Sequence, residues 1–464
     1  MPAIITNKLK KQMLLNLEAD IADSASRYYV GIGRNEDWNA TDETVVPTNT
    51  LYTERETRLA VQAIKQVLDT SFVVPRTNWS LGAYYSAYND NTAGYPTQNY
   101  YVLTDENHVY VCLRQPINAE TGSPAPSTVQ PTGTLTVPVE TQDGYVWKFL
   151  YAIGALDASK YLAANYVPVK KVFSVDSASP ATDVEQYEIQ NAAVSGQIVG
   201  YEVTNGGSGF TTVPSLIVDG DGVGAECEAV LQGRSIIRVN VSYANNEFKM
   251  GSGYTVASVR IDPNATGGGS GAIIRPIFGP NAGLGADPRD DLKSSTFMLN
   301  VKTAGEEEAN GAAVFPLSEF RQVSLIKNPL VPGTDSDFTT ITGNTNRVLN
   351  LSSAPSANLR SKNIIEGVTS GAKAIIVKQE NEKIWYYQNQ GTGFIQFTEG
   401  EQINEINGET QTLVLESVGT DPDSYAYEEP DVKILSGDVL YIDNRARIQR
   451  SAELTEDIKV IIQL

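Results

Sequence analysis

Apolar residues along this chain recur mostly at period two, and at helical spacing only near its start. The strongest pattern is Asp143-Gly-Tyr-Val-Trp-Lys-Phe-Leu-Tyr-Ala-Ile153. A turn dipeptide, Asp143-Gly144, opens it. Tyr145, Trp147, Phe149 and Tyr151 then fall on one face, with Val146, Leu150 and Ile153 largely on the other. Apolar character on both faces predicts a core strand in a sheet covered on both sides. An aromatic ladder of this kind adds roughly 0.2–1 kcal/mol per cross-strand pair.

Upstream, residues 7–23 predict a helix, with Asn7 as its cap and Leu9, Met13, Leu14, Leu17 and Ile21 on one side. A strand over Tyr28–Gly33 runs into a polar loop, Arg34–Trp38. A second helix is expected from about Thr53 to Asp69, with Leu59, Ile64, Val67 and Leu68 as its apolar side. After a Tyr- and Asn-rich connection from Trp79 to Tyr100, Tyr101–Leu103 and His108–Leu113 read as a hairpin through Asp105-Glu-Asn. The proline-punctuated stretch Pro116–Pro138 reads as an exposed loop.

Composition then shifts. From about Val194 to Pro280 there is an imperfect repeat: Gly207-Ser-Gly-Phe210 and Gly222-Val-Gly-Ala225 in one copy, Gly251-Ser-Gly-Tyr254 and Gly269-Ser-Gly-Ala272 in the next. Each copy reads as a small hairpin module that needs its neighbour to bury a face. Denser sequence returns at 289–330, with strands at Phe297–Val301 and Phe320–Ile326. A second Gly- and Thr-punctuated block holds Gly367-Val-Thr-Ser-Gly-Ala372, Ile384-Trp-Tyr-Tyr387 and Phe397-Thr-Glu-Gly-Glu401, and ends at an Asp421-Pro-Asp linker. The expected fold is mainly β with a few helices. It is multi-domain, with antiparallel sheets or a β-sandwich core carrying Gly-rich β insertions. The core is expected from 1–180, 289–330 and 425–464, interrupted by blocks at 190–282 and 333–422.

Composition narrows the function. At 464 residues the chain has room for two to four domains, and its net charge of −20 disfavours nucleic acid and anionic membranes as partners. No apolar run reaches the roughly 20 residues of a bilayer span, and the N-terminal charges follow the apolar piece, the wrong order for a signal peptide. Two cysteines, Cys112 and Cys227, imply no disulfide framework and no metal centre. The single histidine, His108, lies four residues from Cys112, about 13 Å along a strand and out of reach of it. There is no phosphate loop and no His-Glu-x-x-His. Asp219-Gly-Asp-Gly222 matches a fragment of a calcium loop but lacks its later glutamate. No catalytic, cofactor-binding or metal-binding residue is expected. Trp38, Trp79, Tyr145 and Trp147 are expected as structural anchors.

Several motifs in order carry a resemblance. They are Gly33-Arg34 with Trp38, Val74-Pro-Arg-Thr-Asn-Trp79, Tyr110-Val-Cys-Leu-Arg-Gln-Pro116 and Asp143-Gly-Tyr-Val-Trp147. In these the chain resembles the baseplate wedge subunit of T-even-type contractile-tailed phages, the one known as gene product eight. Phe320–Pro329, Tyr441-Ile-Asp-Asn-Arg445 and Thr455–Lys459 are similar to segments of longer relatives from cyanobacterial phages. The resemblance covers about half the chain and leaves out both Gly-rich blocks. It implies a non-enzymatic virion protein of the tail baseplate, assembled in the host cytoplasm. Such a protein forms a homodimer and bridges other baseplate wedge proteins and the tail-fibre connector protein. Two alternatives from other classes are a tail-associated receptor- or glycan-binding protein and a polysaccharide-degrading tail enzyme.

Overall fold

The computed structural model describes residues 3–93, 99–118, 121–304, 308–309, 312–313, 315, 318–417, 426–451 and 453–464. The protein is mainly β, built from several antiparallel sheets with five helices among the described residues. It forms two compact units. One comprises Met1–Leu14, Ser71–Met298 and Ile461–Leu464; the other comprises Leu15–Thr70 and Leu299–Val460. Compositional boundaries and these units cut the chain in different places. The 1–180 segment is shared, with 15–70 in the second unit, while 190–282 lies wholly in the first and 333–422 in the second. The Asp421-Pro-Asp linker lies outside the described residues.

In the first unit, the Val146–Ala152 strand is buried along its whole length. It sits inside a four-stranded sheet, between His108–Arg114 and the short Val139–Glu140 strand, with Tyr101–Leu103 beyond. Tyr145 stacks on Trp147 with ring centroids 5.5 Å apart, Tyr85 meets Trp147 edge-on, and Phe149 packs on Tyr110. The proline-rich connection is not wholly exposed, because Ser127 and Pro131 are buried within it.

The Gly-rich block does not fold as two successive hairpins. Its strands nest about a central hairpin formed by Cys227–Gln232 and Ser235–Val241. Outside that, Val223–Ala225 pairs with Met250–Ser252, Leu216–Gly220 with Ala257–Ile261, and Ile198–Ser208 with Ser270–Phe278. The two repeats therefore complete one another. A Cβ on Gly269 would strike the Phe210 ring, and one on Gly222 would strike the Tyr254 ring. Ser208 opposes Ser270 as Ser252 opposes Val223, so each Gly-Ser-Gly-aromatic turn seats against the other copy's Gly-x-Gly-Ala. Exchange of this kind buries both aromatics, which a lone module would leave half wet.

The second unit holds a five-stranded sheet in the order Thr342–Asn344, Val61–Gln66, Tyr28–Gly33, Glu319–Lys327, Asp438–Gln449. Segments far apart in sequence thus form one framework. A seven-stranded sheet, drawn from strands between Arg347 and Glu428, has its own core of Leu349, Ile365, Ile376, Ile384, Tyr386 and Phe397.

Two expectations fail locally. The second helix covers only Leu51–Ala60, capped by the Thr50 hydroxyl, and Val61 turns extended. Val61–Gln66 becomes a strand paired with Tyr29–Gly33, and Asp69–Pro75 another strand. Val61, Ala63 and Ile64 are all buried, while Leu68, assigned to the helix's apolar side, is exposed. A short apolar run fits either period, and here the available sheet edge decides. The close approach behind this junction needs glycine: a Cβ on Gly33 would lie 2.3 Å from the Ala60 carbonyl oxygen. The first helix spans Asn7–Ala22, and the Thr6 hydroxyl just ahead of it accepts from the Leu9 amide at 3.4 Å, the contact of a helix cap one residue before the expected Asn7. Of the expected apolar stripe only Leu14 is buried; Leu9 and Met13 are exposed.

Candidate functional site

Trp38, Trp79, Tyr145 and Trp147 were expected as structural anchors, and their hydrogen bonds and packing show what each one touches. Asp143 acts beside them in the first unit. Its Oδ2 accepts from the Thr128 amide at 2.7 Å, the Val129 amide at 3.0 Å and the Ser127 hydroxyl at 3.1 Å, while its Oδ1 accepts from the Thr141 hydroxyl at 2.5 Å. Burial opposes the charge, but these donors outweigh it and hold the carboxyl below the ordinary aspartate range. Trp79 Nε1 donates to the same Ser127 hydroxyl at 3.0 Å, and the Tyr145 hydroxyl donates to the Ala125 carbonyl at 2.8 Å. One carboxylate and two rings thereby fix the middle of the proline-rich loop. Trp147 forms the floor beneath, fully buried.

Trp38 does comparable work in the second unit. Its indole donates to the Arg445 carbonyl at 2.8 Å and its ring lies 4.4 Å from the Arg34 guanidinium. Beside it stands an ion-pair network centred on the buried Arg321 in the Glu319–Lys327 strand. Arg321 reaches both Asp42 oxygens at 2.7 Å, Asp37 at 2.6 Å and the Asn35 carbonyl at 2.7 Å. Its guanidinium holds Asp42 down to about 2. Glu319, also buried, pairs further with Lys362 and Arg447. Sequence reasoning missed Arg321. The available signal was one cation inside the otherwise strand-like Phe320-Arg-Gln-Val-Ser-Leu-Ile326, together with the acids of the Glu36–Asp42 loop.

A third carboxylate cradle closes the Gly367–Ala372 turn. Glu401 accepts from the Thr369 and Ser370 amides at 2.9 Å each and from the Thr398 amide at 2.6 Å. Burial raises its pKa and these donors lower it, with a net shift downward. Phe397 buries next to it. Both motifs were visible in the sequence, but not that the second cradles the first.

The chemistry weighed from sequence is dispersed. His108 packs edge-on to Phe149 at 5.4 Å and lies 3.4 Å from the Tyr110 hydroxyl. Cys112 is fully buried, and burial pushes its thiol far up; Cys227 is pushed up to about 12. Asp219 pairs with Arg260 across the sheet, while Asp221 accepts from the Thr255 and Val256 amides at 2.9 and 3.0 Å. The two carboxylates therefore serve a cross-strand pair and a turn. Among the described residues, no group of three His, Cys, Asp or Glu side chains is placed to hold a metal ion. Two buried ionisable groups were not anticipated: Lys148, lowered to about 8 by burial, and Asp291, raised well above the usual range by burial. Lys148 donates to the Thr136 carbonyl, and Asp291 accepts from the Gly285 amide at 3.0 Å.

No family model matches the chain, and no curated protein matches it.

Proposed function

We propose that this chain is a structural virion protein, a baseplate wedge component of a contractile phage tail that dimerises and bridges neighbouring wedge subunits. One observation carries the reading. The segments with the family resemblance are the ones that interlock: Gly33–Trp38, Phe320–Pro329 and Tyr441–Arg445 join through the five-stranded sheet, Trp38 and Arg321. In the first unit, Trp79, the Tyr110 strand and Asp143–Trp147 join through Ser127 and the aromatic cluster. The first Gly-rich block, which departs from the family, pairs its strands among themselves, and the second does so except where Thr342–Asn344 joins Val61–Gln66 and Arg347–Asn350 joins Tyr427–Glu428. An old framework with later β modules on it is what the resemblance leads one to expect.

The sheet also supplies a surface for a second copy. Asp438–Gln449 ends the strand order, so its outer edge has no strand partner among the described residues. Exposed Leu440, Val46, Leu51 and Tyr52 belong to the same unit, and a crevice of about 310 Å³ runs between Val439–Ile442 and Pro47–Thr50. The strand carries Asp438 and Asp443 in its first half and Arg445 and Arg447 in its second. An unpaired strand edge is a template for antiparallel self-pairing about a two-fold axis, the isologous contact of a homodimer. Beyond Asp443, Trp38 covers the edge at Arg445, which limits pairing to the first half.

Sedimentation of the full chain at tens of micromolar is expected to give a dimer, and Leu440→Lys a monomer with unchanged circular dichroism. Purified tails are expected to contain the chain at one or two copies per wedge. Its absence from tails, or release of reducing ends when it meets host polysaccharide, sinks the proposal.

A further inference from the structure

The first unit contains a half-open cleft of about 140 Å³ where the Gly-rich block meets the aromatic-strand sheet. Its walls are apolar: Leu113, Val146, Val199, Val241, Met250 and Ile277 line it. Arg114, Gln115 and Tyr201 line it too, as do Arg238 and Asn240, which share a face of the Ser235–Val241 strand by their spacing of two. Neither is satisfied. Arg238 Nε is shielded from solvent and makes no hydrogen bond, and its Nη1 reaches only the Gln115 carbonyl, at 3.5 Å. Asn240 Oδ1 is likewise shielded and unpartnered.

Arg238 is a half-buried guanidinium without a carboxylate within ion-pair distance among the described residues, in a chain of net charge −20. The neighbouring cation, Arg114, has its own partner in Glu140. Burial, and then the charge of Arg114, disfavour the Arg238 charge. A shielded donor without a partner calls for an explanation, and a buried unpaired charge is costly. An incoming anion removes that cost.

We propose that this cleft binds a small monocarboxylate with an apolar body, the carboxylate on Arg238 and the body against Val146, Val199 and Ile277. A planar two-oxygen head suits the guanidinium fork, and the volume admits one ring or a short chain. Asn240 then reads a hydrogen-bond donor on that body. The inference does not depend on the baseplate reading, and either can fail alone.

The test is calorimetric titration of the full chain with benzoate and, as the neutral control, benzamide. The acid is expected to bind at least tenfold more tightly than the amide. Arg238→Gln is expected to erase that difference while leaving the weak binding of the amide. Gly200→Ala provides an independent block: a Cβ there meets Ile277 and the Leu113 carbonyl only at ordinary contact distances, so the fold tolerates it while the cleft narrows. It should abolish both titrations with an unchanged melting temperature. Equal binding of acid and amide, acid binding unaltered in Arg238→Gln, or no heat from the acid at millimolar concentration each overturns the proposal.

Discussion

Replacing Arg321 by Met tests whether the second unit depends on its buried ion-pair network. The side chain is wholly buried, and it alone bridges Asp42, Asp37 and the Asn35 carbonyl. Methionine fills much of the same space without charge. Removing one partner of a buried pair costs about 3–5 kcal/mol, because the other charge is left stranded. Here the low end applies. Glu319 keeps Lys362 and Arg447, and Asp37 keeps Lys362. Asp42 is the stranded group, and at 30% side-chain exposure it can recruit water. A loss of about 3 kcal/mol at neutral pH follows. The acid limb gives a second, sharper expectation. Asp42 sits at about 2 in the folded protein, below its unfolded value. Its contribution is therefore fully present above about pH 4 and is lost as pH falls towards 2. That shift is worth on the order of 2 kcal/mol before solvent screening is allowed for, and less after it. The penalty of Arg321→Met should accordingly shrink in acid. Hydrogen exchange of the Glu319–Lys327 amides reads this unit separately from the other. A penalty under about 1 kcal/mol at neutral pH, or one of equal size at neutral pH and near pH 2.5, refutes the reasoning.

Three further outcomes are expected. Gly251→Ala adds a Cβ 2.6 Å from the Ala225 amide nitrogen at a φ of +65°, whereas Gly233→Ala at +61° meets nothing within 4 Å. The first should cost about 2–4 kcal/mol in chemical denaturation and the second about 1; similar losses would mean that the repeats do not interlock as described. Asp143→Ala should free the Pro116–Pro138 loop, with rapid thermolysin cleavage there and a loss of about 1–3 kcal/mol. Because the folded carboxyl is depressed, the wild-type loop should loosen only as pH falls below the ordinary aspartate range. Cys112 and Cys227, both held as thiols by burial, should ignore Ellman's reagent at pH 8 until urea is added.

What could be read in the sequence follows from where its signals are local. The Tyr28 strand, the His108 hairpin and the Asp143 strand were legible because alternation and turn residues lie within a few positions of each other. Val61–Gln66 was misassigned because its strand character comes from Tyr28–Gly33 and Thr342–Asn344, partners that no window around it contains. The same limit explains the anchors. Trp38 and Trp79 were visible as aromatics in loops, but their partners, the Arg445 carbonyl and Ser127, are fixed only by the fold. The repeat shows the limit most plainly. Its glycines and aromatics were legible as a pair of copies, and adjacency in sequence suggested two hairpins. Yet Gly269 has room only for the Phe210 ring and Gly222 only for that of Tyr254, so the copies have to exchange strands. Steric complementarity between distant glycines and aromatics, and not local turn propensity, selects the nested arrangement. The same nesting brings Arg238 up against the aromatic-strand sheet, so the cleft exists only because the repeats exchange. A variant that forced each copy into its own hairpin would therefore lose the cleft while keeping every residue that lines it.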